Sequence, residues 1–237
     1  MYKHYTFVKK TIFFIKKRYF RANHRHIIYH MKPKHIAIAG NIGAGKTTLC
    51  ELLSQEFDWE VNYESTDDNP YLEDFYNDMS RWSFNLQIYF LSNRYHQIVE
   101  IQKGNKTVIQ DRSIYEDAHI FAPNLHQMGL MAERDFHNYF NLFQLMSSQV
   151  NAPDLLIYLK ASVPTLVQHI QQRGRDYEST MSLNYLKSLN DKYEEWINHY
   201  TEGKLLVLDV NTLDYKHKAE DRQLVIDLVS EQLNLSK

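Results

Sequence analysis

Gly40-Asn41-Ile42-Gly43-Ala44-Gly45-Lys46-Thr47-Thr48 is a stretch suited to holding an anion. It fits G-x-x-x-x-G-K-[ST], the phosphate-binding P-loop. Glycines let successive backbone N–H groups turn inward around phosphate oxygens. Lys46 is spaced to reach the β- and γ-phosphates, and the Thr47 hydroxyl to sit on Mg²⁺. The pattern also occurs by chance, so its flanks must support it. Before it runs the apolar, β-branched His35-Ile36-Ala37-Ile38-Ala39, and after it Thr48-Leu49-Cys50-Glu51-Leu52-Leu53 reads as an amphipathic helix. Strand, glycine loop and helix together place an anion at a helix N-terminus.

Further reactive side chains stand where strands end. Trp59 to Tyr63 reads as a second strand with Glu64 at its carboxyl end. Thr107 to Gln110 reads as a third, closed by Asp111-Arg112. Leu155 to Leu159 and Lys204 to Leu208 supply a fourth and a fifth, with Asp209 and Asn211 beyond the last. Between them lie helical stretches: about 71–79, 81–102, 131–150, 164–172, 183–200 and 219–233, with a break expected near Pro123-Asn124. Alternating strands and helices imply a parallel sheet covered on both faces, whose ligands bind at the strands' carboxyl ends.

Those ends suggest phosphoryl transfer to a second substrate. A guanine-reading N-K-x-D and a D-x-x-G switch are both missing from the sequence. Glu64 is placed to take a proton from an acceptor hydroxyl. Asp111 is a candidate to organise Mg²⁺, and Arg112 to clamp a phosphoryl oxygen or steer Glu64. Gln87 and Arg94 are seven apart, about two helical turns, and share a face. The edge of a base would satisfy both, and so would a network with Asp117. Arg173 and Arg175 are spaced to close over a transferring phosphate.

The bulk properties are compatible with this. A chain of 237 residues with 43% apolar content suits one α/β domain. The single cysteine, Cys50, excludes an internal disulfide and a cysteine-based zinc site. Among twelve histidines no H-E-x-x-H spacing occurs, and no apolar run approaches the roughly 20 residues of a membrane span. Residues 1–30 hold eight Lys and Arg and no acid, so the remainder is markedly acidic, which argues against general nucleic-acid binding. Residues 1–33 are expected to lie outside the fold, as a disordered basic tail or as sequence upstream of a start at Met31. A mitochondrial-type leader ranks last, since the segment is rich in Lys and Tyr rather than Arg.

Taken in order, GNIGAGKTT (40–48), Glu64, RWSFNLQ (81–87) with Arg94, DRSIYED (111–117) and RGRDYE (173–178) resemble the deoxynucleoside kinases. The likeness is to the deoxycytidine and deoxyguanosine kinase group, and within it to bacterial deoxyadenosine kinase-like members. LDVN at 208–211 is a weaker match. The resemblance implies a P-loop kinase fold, a five-stranded parallel sheet flanked by helices with a mobile arginine lid. It implies ATP as phosphate donor, Mg²⁺, a deoxynucleoside acceptor, a homodimer and a cytoplasmic location, with neither nucleic acid nor membrane as partner. Carried over residue by residue, Glu64 is the base for the 5′-hydroxyl with Arg112 beside it, and Asp111 takes the acidic Mg²⁺ position. Gln87 reads the base with Arg94 and Asp117, Phe121 stacks on it, and Tyr76 and Glu178 hold the 3′-hydroxyl. Arg173 and Arg175 form the lid, and the loop after Asn211 packs on the donor adenine. His169 stands where animal members often have a lid arginine, and Tyr177 where they have a carboxylate. The Arg94 and Asp117 pair argues against thymidine, and with the bacterial resemblance deoxyadenosine is the favoured acceptor, with deoxyguanosine and deoxycytidine as competitors. Two rivals are a thymidylate-type monophosphate kinase and a nucleotide-binding regulatory subunit of a paired kinase. The first would need basic residues for the acceptor's phosphate, whereas Glu64, Asp67 and Asp68 are acidic.

Overall fold

The structure, a computed structural model, describes residues 34–64, 69–175 and 181–235. The expectations for residues 1–33, Met31, Tyr177 and Glu178 fall outside those residues. Five strands form one sheet: β1 (His35–Ala39), β2 (Glu60–Asn62), β3 (Val108–Asp111), β4 (Leu155–Lys160) and β5 (Leu205–Asp209). Their order is β2-β3-β1-β4-β5, and every pairing is parallel. This is the five-stranded parallel sheet read from the alternating pattern. The register sets Ile38 of β1 opposite both Asp111 of β3 and Ile157 of β4. Asp111 therefore ends its strand beside the entry to the glycine loop.

The sheet's two faces are filled by alternate residues, as a period of two dictates. Ile36, Ile38 and Ile157 pack with Leu49 and Leu53 of α1 (Lys46–Phe57) and with Val225 and Val229 of α9 (Ala219–Leu233). Ala37, Ala39, Leu156 and Tyr158 face a second core with α3 (Met79–Lys103), α6 (Glu133–Ser147) and α8 (Leu183–Asn198). Burial on both faces explains why β1 and β4 read as continuous apolar runs. Each fully buried Ile or Leu stabilises the fold by about 1.5–3 kcal/mol relative to an exposed one. The remaining helices are α2 (Leu72–Asn77), α4 (Ile114–Glu116), α5 (Ala122–Gln127) and α7 (Val163–Arg173).

The two helices expected over 71–79 and 81–102 are both present, with the boundary at Asp78, whose side chain accepts from the Arg81 N–H and caps α3. One helical expectation needs correction. The expected break at Pro123-Asn124 is absent: Pro123 sits in the first turn of α5, directly after a π-helical turn that ends with the Ala122 N–H on the Asp117 carbonyl. The chain runs helical from α4 through a π-helical turn, Asp117–Phe121, into α5, and stops near Gly129, where φ is 72°.

Candidate active site

A cleft of about 660 Å³ opens at the carboxyl ends of the strands. The glycine loop floors it, and Glu64, Asp111, Arg112 and Asp117 reach it from the acceptor side. Gly43 has φ 84°, and a β-carbon there would lie 2.8 Å from the Leu166 carbonyl oxygen, so only glycine fits between loop and α7. Lys46 is buried and donates to the Gly40 and Asn41 carbonyls at 3.0 and 3.3 Å. Burial pushes its ammonium down to about 8, with Arg112 adding to the effect and Asp111, Glu64 and Glu116 opposing it.

Asn41 and Gly40 do not line the cleft. The Asn41 amide instead donates to the Leu186 carbonyl and Asn190 Oδ1, and accepts from the Ile42 N–H, which ties the loop to α8. Ile42, Gly43, Ala44, Gly45, Lys46, Thr47 and Thr48 are all lining residues. Thr47 Oγ1 donates to Asp111 Oδ2 at 2.7 Å. Asp111 Oδ1 is buried without a hydrogen-bond partner among the described residues. A hydroxyl and a carboxylate with an unused oxygen fit a hard cation that keeps water and phosphate as its other ligands. No cluster of three or more His, Cys, Asp or Glu able to hold a metal occurs among the described residues.

Glu64 is the centre of the acceptor side. Its side chain is 20% exposed, and Oε1 receives Arg112 Nε at 2.9 Å and Arg94 Nη2 at 2.6 Å. Burial pushes this carboxyl up, but Arg112, Arg94 and Lys46 outweigh it and hold it at about 2. Glu64 is thus ionised throughout the ordinary pH range. Arg94 also donates through Nη1 to Asp117 Oδ2 at 2.6 Å. Arg94 is only 3% exposed and stands behind the cleft wall rather than in it, so the network with Asp117 is present and Glu64 joins it. Burial drives the Asp117 carboxyl up to about 7 against the pull of Arg94 and Arg112.

Gln87 does face the cleft. It is buried, and its Oε1 has no partner among the described residues. Leu72, Phe75, Tyr76, Leu86, Phe90, Phe121 and Tyr185 make the rest of this side apolar and aromatic, suited to a flat ring. The face shared by Gln87 and Arg94 also carries Phe90, three residues on, a signal present in the helical spacing. Asn211 is an expected donor-side residue that the structure places elsewhere. Its Oδ1 accepts from the Ser162 N–H and Thr165 Oγ1, and its amide donates to Asp209, pinning β5 to the start of α7. The loop after it does line the cleft, through Leu213 to His217. Arg173 and Arg175 line the same end, as does His169, whose Nδ1 donates to the Gly43 carbonyl at 2.8 Å.

Glu116 enters the sequence analysis only within DRSIYED, without a role, and Tyr193 does not enter it at all. Glu116 is 0% exposed and accepts from the Gly40 N–H, Arg112 Nη1 and the Tyr193 hydroxyl. Ser113-x-x-Glu116 is a capping box, so that acid carried a local signal. Tyr193 carried none.

The family profile described as "Deoxynucleoside kinase" matches residues 36–234. A deoxyadenosine/deoxycytidine kinase of Bacillus subtilis is 36% identical over 205 residues, spanning 85% of this chain and 94% of the relative. A deoxyadenosine kinase of Dictyostelium discoideum is 42% identical over 167 residues, 70% of this chain and 68% of the relative. Among solved structures, deoxyadenosine kinase from M. mycoides with bound dATP superposes with a TM-score of 0.74 at 30% identity, covering 83% of this chain and 99% of that one.

Proposed function

The chain belongs to the deoxynucleoside kinase family, and from that premise we propose that it transfers the γ-phosphoryl group of ATP to the 5′-hydroxyl of deoxyadenosine. Deoxyguanosine and deoxycytidine are secondary acceptors on this reading. The observation that carries it is Glu64: an ionised carboxylate fixed by two guanidiniums, in one cleft with the phosphate loop and with the unpartnered Gln87 amide oxygen.

The acceptor hydroxyl hydrogen-bonds to Glu64. Its oxygen forms the bond to phosphorus, the bond from phosphorus to the bridging oxygen breaks, and ADP leaves. The proton passes to Glu64. A carboxylate held at about 2 is a weak base, so the proton moves late, once bonding to phosphorus has made the hydroxyl acidic. Lys46, Arg112, Arg173 and Arg175 supply positive charge to the phosphoryl oxygens. Thr47 and Asp111 would hold Mg²⁺, which neutralises phosphate charge when bound. Gln87 and Asp117 read the base edge, with Arg94 supporting Asp117 from behind. An adenine exocyclic amine donates to either side-chain oxygen. Phe121 and Phe90 enclose the ring, Tyr76 and Glu178 hold the sugar, and Leu213 to His217 pack on the donor base.

We read residues 34–237 as one kinase domain and 1–33 as an extension outside it. A homodimer is supported by the exposed Leu142 and Leu145 on α6. No helix among the described residues is long and apolar enough to cross a membrane; the cytoplasmic location belongs to this reading through the family resemblance alone.

The test is a purified-protein assay with ATP and Mg²⁺ against the four deoxynucleosides, adenosine and thymidine monophosphate. Preferential formation of dAMP is expected. Turnover of thymidine monophosphate alone would overturn the acceptor assignment, and no turnover at all would favour a regulatory subunit.

A further inference from the structure

Arg112 is held in an unusual way. Its φ is 73°, left-handed for a residue that is not glycine, a conformation that persists only where surroundings impose it. The turn lets Asp111 and Arg112 serve different parts of the cleft although they are adjacent in sequence. Arg112 Nε binds Glu64, its guanidinium lies 4.6 Å over the Phe121 ring, and Nη1 donates to the Tyr193 hydroxyl at 2.6 Å and to Glu116 Oε1 at 3.3 Å.

Glu116 joins these parts. Oε1 also accepts from the Gly40 N–H at 3.2 Å and from the Tyr193 hydroxyl at 2.8 Å. Oε2 accepts from the Ser113 N–H at 2.8 Å and lies 3.4 Å from its hydroxyl. One buried carboxylate thus binds the first residue of the phosphate loop, the turn after β3 and the guanidinium that grips Glu64. Every group aimed at it is a donor, and only an ionised carboxylate accepts from all of them. Capping α4 does not account for this, since that helix has three residues and the cap uses Oε2 alone.

We propose that Glu116, braced by Tyr193, is a positioning residue for the transfer step, acting through Arg112 to fix Glu64 relative to the phosphate loop. The inference rests on the kinase reading and goes beyond it. Because neither residue lines the cleft, the effect falls on kcat and leaves substrate binding alone.

The test compares Glu116→Gln and Tyr193→Phe with wild type, using ATP and the acceptor that wild type prefers, with rates normalised to folded protein. In Glu116→Gln, kcat falls about 10- to 100-fold while both KM values stay within about threefold. In Tyr193→Phe, which loses only a hydroxyl, kcat falls about three- to tenfold. If Glu116→Gln does not fold, Tyr193→Phe decides the matter. Unchanged kcat with lowered Tm would make the pair merely structural and overturn the proposal, as would losses confined to KM. Should wild type phosphorylate no acceptor, the kinase reading fails separately. Crystal structures of the variants then judge this inference: an Arg112 guanidinium displaced from Glu64 supports it, and an unmoved one overturns it.

Discussion

Replacing Glu64 with Gln keeps the shape of the side chain and removes its charge. Two consequences follow, of different size and in different measurements. A positioned general base contributes about 10²- to 10⁴-fold, so kcat falls by that factor, about 3–5 kcal/mol of barrier. Stability falls as well. The folded carboxyl sits at about 2 against an ordinary 4.5, and a depression of that size corresponds to about 3 kcal/mol. The sign follows from the depressed value: this stabilisation is present above about pH 4.5 and disappears as pH falls toward 2. At pH 7.5 the variant therefore unfolds about 6–12 °C lower, at roughly 2–4 °C per kcal/mol for a chain of this size. The assay pairs a coupled ADP-release measurement at saturating ATP and deoxyadenosine with thermal unfolding of the same preparation. A Tm lowered as expected with kcat within tenfold of wild type would refute the reasoning, since Glu64 would then be an anchor for Arg94 and Arg112 alone.

Gln87→Leu removes a buried oxygen without a partner in the described structure. Stability in urea is unchanged or raised by about 1 kcal/mol, while KM for deoxyadenosine rises about 10- to 100-fold; a lowered stability with unchanged KM would contradict both halves. Asp117, raised to about 7, favours the folded state at low pH and loses that contribution as pH climbs through 7. The stability of wild type relative to Asp117→Asn should fall by about 1.4 kcal/mol per pH unit between roughly 4 and 7, and parallel urea curves at pH 5 and 7 would exclude the shift. Gly43→Ala drives a methyl into the Leu166 carbonyl at 2.8 Å, so ATP binding by calorimetry weakens at least tenfold and stability drops about 1–3 kcal/mol.

What could be read from the sequence was whatever lies next to a strand end. The glycine loop follows the apolar β1, Asp111 and Arg112 stand at the end of β3, and Glu64 comes two residues after the short, mixed β2, so placing the strands places them. Contacts across the chain were harder to read. Tyr193 meets Glu116 from 77 residues away, and nothing local marks it as a polar partner rather than a core aromatic of α8. Arg94 was legible as sharing a face with Gln87, but its fork between Asp117 and Glu64 depends on how α3 leans on the ends of β2 and β3. Pro123 misled because proline punctuates most helices yet is at home in their first turn. Asn211 misled because an amide at a strand end suits a ligand and a loop tether equally well.

The strand order has a consequence for altering this protein. β1 runs down the middle with β3 and β2 on one side and β4 and β5 on the other. Glu64, Asp111 and Arg112 hang from the first pair, while His169, Arg173 and Leu213 to His217 follow the second. The second pair does not serve the donor alone, however: Tyr185 of α8, between β4 and β5, lines the acceptor side, and Tyr193 of the same helix braces Arg112. On the proposed reading, a chimera that exchanges only β5 and the loop Leu213 to His217 with a relative should inherit that relative's preference for phosphate donor and keep its own preference for acceptor, whereas one that also exchanges α8 should change both. The donor side could thus be retuned by itself so long as α8 stays with β1, its glycine loop and the β3–β2 pair.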